Sequence, residues 1–115
     1  MLGLNKVMLI GNLGKDPEFR TLENGSSTIS FPLATSDSYK DKEGQKIETT
    51  EWHNVVAWRA VADNMKKMLK KGSSIYIEGK IKSRSWETKE NEKRYITEVI
   101  VDSFILLKDP KEKEA

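Results

Sequence analysis

A two-residue alternation recurs in separate stretches of this chain and yields to a helical spacing in one place, which sharply limits what it can fold into. Over residues 74–83, Ile75, Ile77, Gly79 and Ile81 alternate with Tyr76, Glu78, Lys80 and Lys82. Over residues 27–36, Ile29, Phe31 and Leu33 alternate with Thr28, Ser30 and Pro32. Successive strand side chains point to opposite faces, so the second stretch reads as a strand with one wet side and the first as another strand. Pro32 cannot donate to a ladder and is expected at an edge or a bulge. Residues 49–59 put Trp52, Asn54, Val56 and Trp58 on one face and His53, Val55 and Ala57 on the other.

The helical spacing comes next. Val61, Met65, Met68 and Leu69 recur at i, i+4, i+7 and i+8 with lysines opposite, which predicts a short amphipathic helix stopped by Gly72. Residues 6–14 read as a buried strand in which Gly11 and Gly14 permit a bend or bulge. A loop with Asp16-Pro17 and a short piece at 18–22 then lead to the Asn24-Gly25 turn. Residues 39–47 are polar and are expected to be a flexible loop that joins two strands as a hairpin, 86–93 a charged hairpin arm, and 94–107 the last strand. Five strands with one short α-helix between strands 3 and 4 match the order of an all-β OB-fold, a Greek-key barrel. The expected domain spans 1–107, with 108–115 a charged tail that frays.

At 115 residues the chain holds one domain. It has no cysteine, which removes disulfides and thiolate metal sites and suits a reducing compartment. Apolar runs are broken by charge and no signal-peptide layout stands at the N-terminus, so a soluble cytoplasmic protein with no membrane association is expected.

The net charge of +2 is too small to name a ligand, but its distribution is uneven. Residues 66–84 hold seven cations (Lys66, Lys67, Lys70, Lys71, Lys80, Lys82 and Arg84) against Glu78 alone. A solvated helix face would explain the first four by themselves. Joined to the last three and to Trp86, they suit a track for phosphates. Aromatic rings lie among such charges at Tyr39, Trp52, Trp58 and Trp86, an arrangement on which unpaired bases can stack. Large aromatics are more often packing residues, and Phe19, Phe31 and Phe104 are read that way. Trp52 and Trp58 could equally face a partner subunit, and Tyr76 and Tyr95 stay unassigned.

His53 is the single histidine and has no second soft ligand, so it reads as packed or interfacial, with no metal and no cofactor expected. A metal-dependent nuclease would need clustered carboxylates. Asp16, Glu18, Glu51 and Glu98 are candidates by composition only, so an enzyme is not expected. A protein-docking OB module of the primosomal kind is the other alternative.

The segments Asn5-Lys-Val-Met-Leu-Ile-Gly-Asn-Leu-Gly-Lys-Asp-Pro-Glu, Leu33-Ala-Thr-Ser, Thr50-Glu-Trp-His-Asn-Val-Val-Ala-Trp, Leu69-Lys-Lys-Gly-Ser-Ser-Ile-Tyr-Ile-Glu-Gly-Lys-Ile and Arg94-Tyr-Ile-Thr-Glu-Val closely resemble the bacterial single-stranded DNA-binding protein family, SSB, across residues 4–106. The resemblance implies an OB-fold that assembles, usually as a homotetramer and otherwise as a dimer, and coats single-stranded DNA without sequence preference in replication, recombination and repair. It places base-stacking positions at Tyr39, Trp52, Trp58 and Trp86, phosphate contacts at Arg20, Lys42, Lys71, Arg84 and Arg94, and a subunit interface at His53. Tyr39 stands where many relatives carry tryptophan and Trp58 where many carry phenylalanine. Two further basic positions of the family are Ala60 and Ser85 here. Most relatives continue through a flexible linker to an acidic tip that recruits other proteins. This sequence ends Lys-Glu-Lys-Glu-Ala, so recruitment of replication and repair proteins through such a tip is not expected of it.

Overall fold

Apolar sides of alternating strands must turn away from water, and here they turn toward one another. In the computed structural model, which describes residues 1–110, the order is β1 (Val7–Leu13), β2 (Glu18–Thr21), β3 (Ser27–Lys40), β4 (Lys46–Trp58), α1 (Arg59–Met68), β5 (Ser74–Glu87) and β6 (Lys93–Lys108). The sheet runs β1-β5-β6-β4-β3-β2, and a further β1–β3 pairing closes five of the strands into a barrel. β2, the short piece after the Asp16-Pro17 loop, lies on β3 outside that ring. All pairings are antiparallel except β4 with β6, which run parallel from Asn54/Glu98 to Val56/Ile100. This is the expected OB-fold barrel with its single helix before β5.

Ile29, Leu33, Val55, Ala57, Ile75 and Ile77 fill the barrel, and α1 closes its end with Ala62 and Met65. Met68, expected in the helix stripe, is exposed, and Ala62 takes its place. Spacing favours the larger side chain, whereas the small one lets the helix sit closer to the strands. Gly11 and Gly79 serve approach more than bending: a Cβ on either would run into the carbonyl oxygen of Ala34 or Ile100. Pairing across the narrow barrel needs that clearance.

Pro32 is not at a free edge. It pairs with Asn54 on one side, and on the other its carbonyl accepts the Gly14 N–H at 3.0 Å. β3's second neighbour changes there from β2, which ends opposite Ser30, to β1, which begins opposite Leu33. The missing N–H falls in that gap, so no ladder bond is lost.

Of the expected loop at 39–47, the two ends, 39–40 and 46–47, are strand, and only 41–45 form the turn between them. β3 and β4 stay paired to Lys40/Lys46, and β5 and β6 to Glu87/Lys93, so two hairpin arms project beyond the barrel. Out there neither side is covered, apolar alternation disappears, and the sequence takes on the look of a loop although the backbone ladder continues. Asp41 closes the first arm by accepting the N–H groups of Glu43 and Gln45, with Gly44 at positive φ. β6 runs one residue past the expected boundary at 107. Of the expected tail, residues 111–115 lie outside the described residues.

Candidate nucleic-acid interface

Strand parity decides which side chains share a surface, and the register extends that surface over five strands. The outward positions of β4 are Trp52, Asn54, Val56 and Trp58, and those of the far half of β5 are Lys80, Lys82, Arg84 and Trp86. Across the ladders Lys82 lies opposite Glu98, Glu98 beside Asn54, and Asn54 opposite Pro32. Trp86 lies opposite Arg94, Trp52 opposite Ala34, and Trp58 opposite Thr28, which pairs in turn with Arg20. Trp58 is six residue steps beyond Trp52, or about 20 Å along β4. An open groove lined by Arg20, Pro32, Asn54, Trp58, Lys82 and Arg84 among others starts at Trp58, while Trp52 borders a second hollow beside His53.

Each indole is open to solvent: Trp52 is 59% exposed, Trp58 44% and Trp86 44%. Residues that served only to pack would be covered, so these rings are available to a ligand. The Arg84 guanidinium lies 5.3 Å from the Trp86 ring centroid and its Nε donates to Glu98 Oε1 at 3.0 Å. The ring and the carboxylate together hold the guanidinium over the face. Asp16, Glu18 and Glu98 also line the groove; the Glu98 side chain is only 12% exposed, and its role as an anchor for arginine has no signature in the sequence.

The other expected contacts are spread more widely. Tyr39 is exposed on the first arm, but its parity puts it on the side of the ribbon opposite Trp52, and Lys42 stands on the turn beyond. Lys71 follows α1, its backbone N–H bound by Asp16 Oδ1 at 2.8 Å. Lys66 sits over the Phe19 ring at 4.2 Å from its centroid, whereas Lys70 pairs with Asp109 at 3.5 Å. The helix lysines therefore do not form a single file with those of β5. Phe31 is in the core, and Phe19 and Phe104 pack against it.

The four carboxylates weighed for metal chemistry stand apart: Asp16 is bound to Lys71, Glu18 to Arg20 at 3.3 Å, Glu98 to Arg84, and Glu51 lies on the first arm. Among the described residues no three His, Cys, Asp or Glu side chains gather as metal ligands. Nor is any helix among them long and apolar enough to cross a membrane.

A second surface differs in kind. Met8 and Ile10 of β1, Ile105 and Leu107 of β6 are exposed, and the register aligns Ile10, Tyr76 and Ile105 in one row. Beside them Tyr76 Oη donates to Glu78 Oε1 at 2.7 Å, and Lys6 Nζ stands 3.5 Å from Glu78 Oε2. The tyrosine hydroxyl and then the ammonium hold the Glu78 carboxyl below its ordinary range, and the same carboxylate raises Tyr76. From Val7 to Gly11, β1 has a ladder partner only on its β5 side, which leaves an open strand edge. His53 is half-buried, its Nε2 2.9 Å from Thr35 Oγ1, in a hollow at the barrel mouth lined by Val7, Leu9, Ile81 and Tyr95.

Comparison with known proteins points one way. The model of the single-strand binding protein family matches residues 4–107. Single-stranded DNA-binding protein 1 of Chlorobaculum tepidum is 49% identical over 106 residues, which cover 91% of this chain and 65% of that protein. Its namesake from Xylella fastidiosa is 47% identical over 108 residues, 93% of this chain and 79% of that one. The chain thus spans just under two thirds of the first relative's length. Among solved structures, a Plasmodium falciparum SSB complex with ssDNA has a TM-score of 0.86 at 32% identity, covering 94% of this chain and 98% of that one. A deletion mutant of the single-stranded DNA binding protein from Thermus aquaticus has a TM-score of 0.79 at 31% identity, covering 92% of this chain and 51% of that one.

Proposed function

The chain belongs to the single-strand binding protein family, and on that premise we propose that it binds single-stranded DNA without sequence preference and coats it during replication, recombination and repair. One observation carries this reading: three open indoles and four cations (Arg20, Lys82, Arg84 and Arg94) share the outer face of β2, β3, β4, β6 and β5. Every base has a π-face, so an aromatic platform accepts any of them at about 1–3 kcal/mol per base, while cations follow the backbone. Trp52, Trp58 and Trp86 stack bases on this face, and a DNA strand that passes around the projecting arm meets Lys42 at its turn and Tyr39 on its other side. Lys71 contacts phosphate at its margin. The protein works in the cytoplasm as a binder, with no catalysis and no cofactor.

Self-association belongs to the same proposal. The open β1 edge and the apolar row of Ile10, Tyr76 and Ile105 suit a second copy of the chain, and a homotetramer is the assembly the family favours. His53, at the barrel mouth beside Ile81 and Tyr95, lies against a partner subunit.

Tryptophan fluorescence titrated with dT oligomers of increasing length, at several salt concentrations, tests the reading. Strong quenching is expected, with affinity that falls linearly as log salt rises. Unchanged emission at micromolar protein and oligomer would overturn it and favour a protein-docking face. Added magnesium is expected to leave the oligomers at full length.

A further inference from the structure

Trp52 is the most exposed of the three indoles, yet the edge of its ring rests on backbone. It lies against Gly14 in the loop after β1: a Cβ placed on Gly14 would stand 2.5 Å from Trp52 Cζ3 and 2.7 Å from Cη2. Pro32 Cγ is 3.5 Å from the same point, and the Gly14 N–H is tied to the Pro32 carbonyl at 3.0 Å, which fixes the loop under the ring. Gly14 is not among the glycines at positive φ, so its backbone would accept alanine. What the site requires is the missing side chain.

We infer that Gly14 is a positioning residue for DNA binding: its bare backbone seats the outer edge of the Trp52 indole, at Cζ3 and Cη2, and so sets the angle at which the ring presents its face to a nucleobase. The inference rests on the proposed stacking role of Trp52. A ring seated at its edge loses less rotamer freedom when a base arrives than one with no contact there, and so binds more tightly. A methyl at Gly14 would push the six-membered ring off its seat and tilt the open face out of line with the groove, where the adjacent Lys15 also lies.

The test uses the full chain with Trp58→Phe and Trp86→Phe, so that Trp52 is the one indole reporting. Adding Gly14→Ala is expected to leave the thermal unfolding midpoint nearly unchanged, shift the emission of Trp52, remove most of its quenching by oligo-dT, and weaken binding by about fivefold or more. In a Trp52→Ala background the same substitution is expected to change affinity no further. With Trp52→Phe it is expected to bind like Trp52→Phe alone, because a phenyl ring is short enough to clear the methyl. Unaltered quenching and affinity in Gly14→Ala, or an equal loss without Trp52, would overturn the inference. So would loss of the folded barrel, since the contact is with a ring tip that can move into solvent. If the parent protein does not bind oligo-dT at all, the proposed function fails, while the emission shift still reports whether the seat exists.

Discussion

The two halves of β5 face different surfaces, and the contrast separates what the barrel offers to DNA from what it offers to itself. From Ser74 to Glu78 the strand lies between β1 and β6 in a patch where Met8, Ile10, Ile105 and Leu107 are exposed and the one charge cluster, Lys6–Glu78, is internally matched. From Lys80 to Trp86 the same strand carries three cations and an indole, with one acid opposite. A polyanion favours the second surface and gains most at low salt. A second copy of the chain favours the first, since apolar contact with neutralised charge is nearly indifferent to salt.

The largest effect that would break this division comes from charging the apolar face. Ile10→Asp with Ile105→Asp would bury unpaired carboxylates in any interface built there, and the mass in solution, measured by light scattering, is expected to fall toward that of one chain. Both side chains are exposed in the barrel, so the fold should persist. Next in size, Trp58→Ala or Trp86→Ala is expected to cost about 1–3 kcal/mol of DNA affinity in filter binding, equally for dT and dC oligomers, with no change in mass. Smaller still, Lys82→Ala should reduce the slope of log affinity against log salt by about 0.7, whereas Lys6→Ala on the other face should leave it unchanged. The smallest concerns pH. Glu78 titrates below the 4.5 of an ordinary glutamate, so its share of stability is present above that pH and disappears as pH falls through the lowered value. Glu78→Gln is expected to flatten the acid side of the unfolding-temperature profile across that window. Tyr76, raised above 10, has the opposite sign: its share is present below pH 10 and is lost as pH rises beyond.

Legibility in the sequence followed the reach of each interaction. Alternation in β4 put Trp52 and Trp58 on one face because parity is local, and the inward residues Val55 and Ala57 are buried as that parity requires. Both hairpins were legible, the one at 86–93 as a charged arm, but how far the strands run along the arm around Tyr39 was not, because outside the barrel nothing covers either side and the apolar code lapses. Pro32 looked like an edge because the exchange of β2 for β1 beside it depends on residues far away in the chain. Helical spacing gave weight to Met68 over Ala62, since it counts apolar size and not how closely a helix approaches. Gly14 under Trp52, Glu98 behind Arg84 and the open edge of β1 are long-range facts with no local trace, and each bears on the proposed function.

The central claim is that DNA lies on the outer face of β4 and the far half of β5. Photo-cross-linking of a bromodeoxyuridine oligonucleotide to the full chain, followed by mass spectrometry of the adducts, tests it most directly. Adducts are expected at Trp52, Trp58 and Trp86. Adducts confined to Tyr76 and its neighbours Met8 and Ile105 would contradict the account.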